Sequence, residues 1–167
     1  MSSSNAKQGL RASESRFLSF SLGSEEFAIP LLAVKEVIAV PDLTPMPRSP
    51  AHFLGIMNLR GLVIPVIDLG AKLEIKNTKT STETAVIICD LEPYHLGIKV
   101  DSINSVVTPA PGDISVNPEA PGSRRRDFIS SVYRREKTMV LLLNIGKVLD
   151  SLDQQSLEQT TTLEKAS

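Results

Sequence analysis

The feature that most constrains this chain is that it repeats itself. Displaced by 69 positions, residues 17–38 fall on residues 86–107 without a gap. Leu18 meets Ile87, Phe20 meets Cys89, Leu22 meets Leu91, Phe27 meets Leu96, Ile29 meets Ile98, Val34 meets Ile103 and Val37 meets Val106. Apolar positions agree while polar ones do not, the pattern of one backbone unit built twice. Further on, Phe53-Leu54 corresponds to Phe128-Ile129 at a shift of 75, and Asp68-Leu69-Gly70 to Asn144-Ile145-Gly146 at a shift of 76. The internal repeats therefore cover roughly residues 17–73 and 86–149.

Each unit has the pattern of five short strands. Phe17, Leu18, Phe20 and Leu22, a turn at Gly23-Ser24-Glu25-Glu26 and the apolar stretch 27–32 form a hairpin. Residues 34–40, rich in Val and Ile, form a third strand. Pro41, Pro45, Pro47 and Pro50 then impose a loop, because proline lacks a backbone donor. A second hairpin follows over 54–69, its arms flanking Asn58-Leu59-Arg60-Gly61, where Gly61 supplies the positive φ of a tight turn. Pro65 in the second arm points to an edge strand or a bulge. After a Thr-rich link at 74–84, strands recur at 86–91, 96–100 and 103–107. A Pro/Gly loop over 109–123 leads to a last pair at 128–133 and 138–143. Five strands bury little on an open sheet, and closing each unit on itself removes the exposed edges. The expected fold is all-β: two packed five-stranded barrels over 16–150 with short helical segments. A disordered Ser-rich tail at 1–15 and a polar tail or short helix at 151–167 flank them.

Composition narrows the function classes. Of 167 residues 41% are apolar, but only 4% are aromatic and Trp is absent, so the core is built from Val, Ile and Leu. A net charge of -1 gives no global field toward nucleic acid or an anionic membrane. Arg124, Arg125, Arg126, Arg134 and Arg135 form the one basic cluster; a small nucleic-acid-binding barrel is the remote alternative, disfavoured by balancing acids and missing stacking aromatics. Cys89 lies within Ala85-Val86-Ile87-Ile88-Cys89 and reads as a buried hydrophobe. His52 and His95 are isolated, without metal spacing, and read as surface or turn residues. No phosphate-cradling loop, dinucleotide fingerprint or nucleophile elbow occurs. These patterns predict no catalytic, cofactor or metal site. No apolar h-region or membrane-length run is present, and a cytoplasmic location is expected.

Particular strings carry a family likeness. Phe27-Ala28-Ile29-Pro30 with Val34-x-Glu36-Val37-Ile38, the proline connection Thr44-Pro45-Met46-Pro47, and the run from Gly55 through Asn58-Leu59-Arg60-Gly61 to Ile64-Pro65-Val66-Ile67-Asp68-Leu69 resemble the CheW-like family of chemotaxis coupling proteins. The likeness spans about residues 16–150. It implies two SH3-like barrels, no cofactor and no catalysis. The implied role is a scaffold joining chemoreceptors to a CheA-type histidine kinase at the membrane-associated receptor array. The implied partners are the kinase's regulatory domain, the cytoplasmic tip of methyl-accepting receptors and CheW-like ring assemblies. A non-flagellar, pilus-type chemosensory system is the alternative setting. The length suggests the stand-alone form and not the receiver-fused CheV. After Asp68-Leu69 the family usually offers an arginine; here the stretch is Gly70-Ala71-Lys72.

The resemblance also implies the site. Glu36 and Arg60 match charges near the receptor and kinase contacts. Asn58 and Gly61 share the hairpin tip with Arg60. Val34, and Val106 or Val107 in the second unit, are candidates to line the groove between the barrels that takes the receptor. Strand alternation puts Val34, Glu36 and Ile38 on one face.

Overall fold

The computed structural model describes residues 16–116, 128–149 and Asp153. The Arg124-Arg125-Arg126 cluster and the two expected tails, Asp153 apart, lie outside the described residues. Strands β1 (Phe17–Leu22) and β2 (Glu25–Pro30) form the first hairpin, and a 3-10 turn over Leu31–Ala33 leads to β3 (Val34–Ala39). Strands β4 (Phe53–Leu59) and β5 (Leu62–Asp68) and helix α1 (Leu69–Lys72) complete the first unit. The second unit runs β6 (Ala85–Asp90), β7 (His95–Val100), β8 (Ser102–Val107), β9 (Ile114–Val116), β10 (Ile129–Arg135), β11 (Thr138–Leu143) and helix α2 (Ile145–Val148).

Two sheets form, and each draws on both units. One has the order β8-β1-β2-β11-β10-β9, the other β3-β6-β7-β5-β4. The expectation that each unit closes on itself is therefore corrected: the units exchange their first hairpins. The register repeats faithfully. Phe17 pairs with Val107 as Val86 pairs with Ile38, and Ala28 pairs in parallel with Leu142 as Gly97 pairs with Val66. The physical reason is burial on both faces. Phe20, Leu22, Phe27 and Ile29, with Ile87, Cys89, Leu96 and Ile98, form one core between the sheets. Alternating residues of the same hairpins turn inward. Val86 and Ile88 join Met57, Ile64 and Val66 inside one barrel, and Ala28 joins Tyr133, Val140 and Leu142 inside the other. A strand buried on both sides is apolar throughout, which is why residues 85–89 are all buried.

Both barrels close by the same device. Leaving β3, the chain reaches Thr44, whose N–H donates to the Ile56 carbonyl at 2.9 Å and whose carbonyl accepts the Ile56 N–H at 2.8 Å. This joins the β3 side of the five-stranded sheet to β4 on its far edge. Leaving β8, the chain forms β9, which pairs with β10 and so supplies the sixth strand not foreseen in the sequence. Gly55 makes the first closure possible: its φ is +147°, and a Cβ there would stand 2.5 Å from the Thr44 carbonyl oxygen. Pro65 lies in an interior strand, not at an edge; the ladder from β5 to β7 begins one residue later, at Val66.

Two residues in the cores have testable consequences. Ser19 is fully buried with no partner for its hydroxyl, at the position that Ile88 fills in the other unit. Ser19→Ala is expected to raise stability by about 1 kcal/mol in chemical denaturation, since an unpaired buried hydroxyl is lost. Burial pushes the Cys89 thiol up to about 12. The folded chain therefore keeps its proton where the unfolded chain loses it, so this contribution to stability is lost as pH rises above the ordinary thiol range. Cys89 is expected to resist alkylation at pH 8.5 in the folded protein and to react on unfolding, as mass spectrometry would show.

Candidate functional site

The tip of the β4–β5 hairpin is a two-residue turn. Leu59 pairs with Leu62, leaving Arg60 (φ +52°) and Gly61 (φ +88°) between them. Two successive positive φ values define the turn whose twist suits a hairpin. The space around Gly61 is open, so glycine is required there by the backbone and not by a neighbour. Asn58 steadies the turn: its Oδ1 accepts the Gly61 N–H at 3.0 Å. Asn58 and Gly61 thus shape the tip that presents Arg60.

Arg60 reaches back to Glu36. Its guanidinium donates to both carboxylate oxygens, NH1 to Oε1 at 2.7 Å and NH2 to Oε2 at 3.3 Å. The fork matches the carboxylate plane. The pair spans the seam of the five-stranded barrel, since β3 and β4 are its opposite edge strands. Arg60 is 72% exposed and Glu36 24%, so the charges sit at the surface. Hydrogen bonding to Glu36, then its charge, pushes the Arg60 pKa up, keeping the guanidinium charged.

The apolar candidates separate. On β3, Val34, Glu36 and Ile38 share the half-buried face, as alternation predicts. Val34 packs against the core between the sheets, so most of its side chain serves the fold. Val106 is 50% exposed while Val107 is buried, which decides between them for a surface role. Sequence reasoning missed Val37, which is 42% exposed. The repeat could have found it, because Val37 matches Val106 and both strands carry a bulge at one place. Lys35 is skipped in the β3–β6 register and Asn104 in the β1–β8 register.

Below the hairpin lies a second charged group. Asp153 is fully buried. One oxygen is 2.5 Å from His52 Nε2 and the other 2.9 Å from Lys72 Nζ. His52 sits in the turn before β4, as one of its two readings had it, but it is mostly covered and engaged and not a surface residue. The His52 carbonyl also accepts the Asp68 N–H at 2.8 Å. Asp68 caps α1, its Oδ1 accepting the Ala71 N–H at 3.1 Å. Lys72 therefore takes up an ion pair in the stretch where the family usually offers an arginine. His95, the other isolated histidine, is half-buried, with Nε2 3.5 Å from Lys35 Nζ. Among the described residues no cluster could hold a metal ion, and no helix is long and apolar enough to cross a membrane.

Two interlocked small barrels with a charged seam define the class: an all-β paired-barrel domain. More particularly, the model of the CheW-like domain matches residues 16–153, and the chain belongs to the CheW-like family. It is 29% identical over 152 residues to the chemotaxis protein CheW of Rhizobium meliloti, covering 91% of this chain and 98% of that one. It is 30% identical over 135 residues to the chemotaxis protein CheW of Klebsiella aerogenes, covering 81% of each. In fold it resembles the scaffolding protein TtCheW from Thermoanaerobacter tengcongensis. The TM-score is 0.76 at 24% identity, over 84% of this chain and 95% of that one.

Removing the Asp153 carboxylate takes away, at a fully buried position, the 2.9 Å ion pair to Lys72 and the contact to His52. Asp153→Ala is expected to cost about 3 kcal/mol in denaturant titration. Arg60→Ala, at a largely exposed pair, is expected to cost no more than about 1 kcal/mol.

Proposed function

We propose that this chain is a non-catalytic adaptor that couples chemoreceptors to a CheA-type histidine kinase in chemotaxis signalling. The observation that carries this reading is the match to the CheW-like domain over residues 16–153. The named relatives are chemotaxis proteins, and the structural neighbour is described as a scaffolding protein. The geometry is consistent with it. Glu36 and Arg60 place a fixed pair of charges on the barrel seam, and the half-exposed Val37 and Val106 supply apolar surface. Charges of this kind orient a partner and reject wrong ones, while apolar contacts supply affinity.

The partners in this reading are the regulatory domain of the kinase and the cytoplasmic tip of a methyl-accepting receptor. Two barrels of like design offer two outer flanks for kinase-type barrels, in rings, and a groove between them for the receptor. Val34, Glu36, Asn58, Arg60, Gly61 and Val106 are assigned to this binding surface. Val34, Asn58 and Gly61 act through shape, and Glu36, Arg60 and Val106 through contact. The place of action is the cytoplasmic face of the receptor array.

A pull-down with the purified regulatory domain of a CheA-type kinase from the same genome tests the assignment; failure to bind any such domain would sink it. For the site, Arg60→Glu is expected to abolish receptor-dependent kinase activation in a reconstituted assay. Its stability should stay within about 1 kcal/mol of the parent. Unchanged activation would remove Arg60 from the surface.

A further inference from the structure

Among the described residues, the first hairpin makes no strand pair with the rest of its own unit. β1 pairs with β8, and β2 pairs in parallel with β11. Inside the six-stranded barrel its Ala28 joins Tyr133, Val140 and Leu142. On its other face Phe20 and Phe27 share the core between the sheets with Ile87 and Leu96. What joins this hairpin to β3 is short and bare. The 3-10 turn Leu31–Ala33 buries no residue, carries no side-chain cap, and leaves Leu32 66% exposed. It is held by backbone: the Leu31 N–H donates to the Arg16 carbonyl at 2.9 Å, and the Val34 N–H to the Leu31 carbonyl.

Every strand that the hairpin pairs with is present, in the same geometry, on a second copy of the chain. Opening the turn and seating the hairpin there keeps its contacts and changes only the link, so the closed and exchanged forms differ chiefly by loop-closure entropy. The seat is also selective. Where the first hairpin has Ala28, the matching hairpin β6–β7 has Gly97. A Cβ at Gly97 would stand 3.0 Å from Val66 Cγ2 of the five-stranded barrel. Ala28 carries that Cβ, so the first hairpin fits between β8 and β11 and is crowded between β3 and β5.

We propose that two copies of this chain exchange their β1–β2 hairpins, each pairing with β8 and β11 of the other. The pairing that one chain makes between its units is then made between chains. A chain folding alone closes on itself, because the short link holds the hairpin near its seat at an effective concentration on the order of millimolar. Chains folding together at a comparable concentration exchange. The proposal does not depend on the adaptor reading.

The full chain is refolded from denaturant at about 1 mM and, in parallel, at about 10 µM, and each sample is sized by light scattering. A dimer is expected at the higher concentration and monomer at the lower. In dimer refolded from equal parts of isotope-labelled and unlabelled chain, filtered NOEs are expected between Leu18 of one chain and Val106 of the other, which are partners in the β1–β8 register. The amide spectrum of the dimer should match that of the monomer except around Leu31–Ala33. Leu32→Pro disfavours the helical backbone at Leu31 and should raise the dimer-to-monomer ratio by about tenfold. Monomer alone at the higher concentration, a dimer without interchain β1–β8 contacts, or an unchanged ratio in a folded Leu32→Pro overturns the proposal. The measurements on the unmodified chain stand even if that variant does not fold.

Discussion

Everything in this molecule depends on the exchange of the first hairpins between the two units. A hairpin inserted into the neighbouring barrel has one face inside that barrel and the other against the barrel it came from. Phe20, Phe27, Ile87 and Leu96 are fully buried for this reason, and they belong to a core that neither unit owns. The hydrophobic term scales with area removed from water, and four strands contribute on both faces. The two barrels are consequently one cooperative body and not beads on a string. The linkers agree: β7 passes into β8 of the other sheet through Asp101 alone, whose carboxylate accepts the N–H groups of Gly23 and Lys79.

The exchange also positions the surface charges. With β6 and β7 inserted between β3 and β5, β3 and β4 become the edges of one sheet. They meet only because Thr44 crosses to Ile56 and Gly55 lets it approach. The Glu36–Arg60 pair sits on that join, so a barrel-closing contact and a surface of fixed charge are built by the same strands. At the base of the same hairpin, Asp153 gathers His52, just before β4, and Lys72, at the end of α1.

Much of this was legible in the residues, and the limits have physical causes. Strand positions, the repeat and the Gly61 turn followed from period-two patterning, a displacement of 69 positions and the need for positive φ. The run 85–89 announced burial on both faces, though not against what. The exchange was invisible because its register is the same whether a hairpin pairs with its own unit or the other. Pro65 misled because proline excludes only a position that must donate, and the shared ladder starts at Val66. His52 was placed in its turn but read as isolated, because its partner is 101 residues away, a separation that local pattern cannot bridge. At the site, Arg60 and Glu36 came from family likeness; the fork between them and the exposure of Val37 needed coordinates.

One consequence of the exchange concerns time. During synthesis the five-stranded barrel can assemble once β7 is available, at Val100. The first hairpin made, β1–β2, must wait for β8 and β11, and so for Leu143. The opening strands of the fold are thus the last to be enclosed on both faces, with the face that carries Ala28 uncovered until Tyr133, Val140 and Leu142 are made. Long-range pairing of this kind slows folding and leaves apolar surface open to wrong partners. The newborn chain is most vulnerable at its first hairpin, until Leu143 has been made.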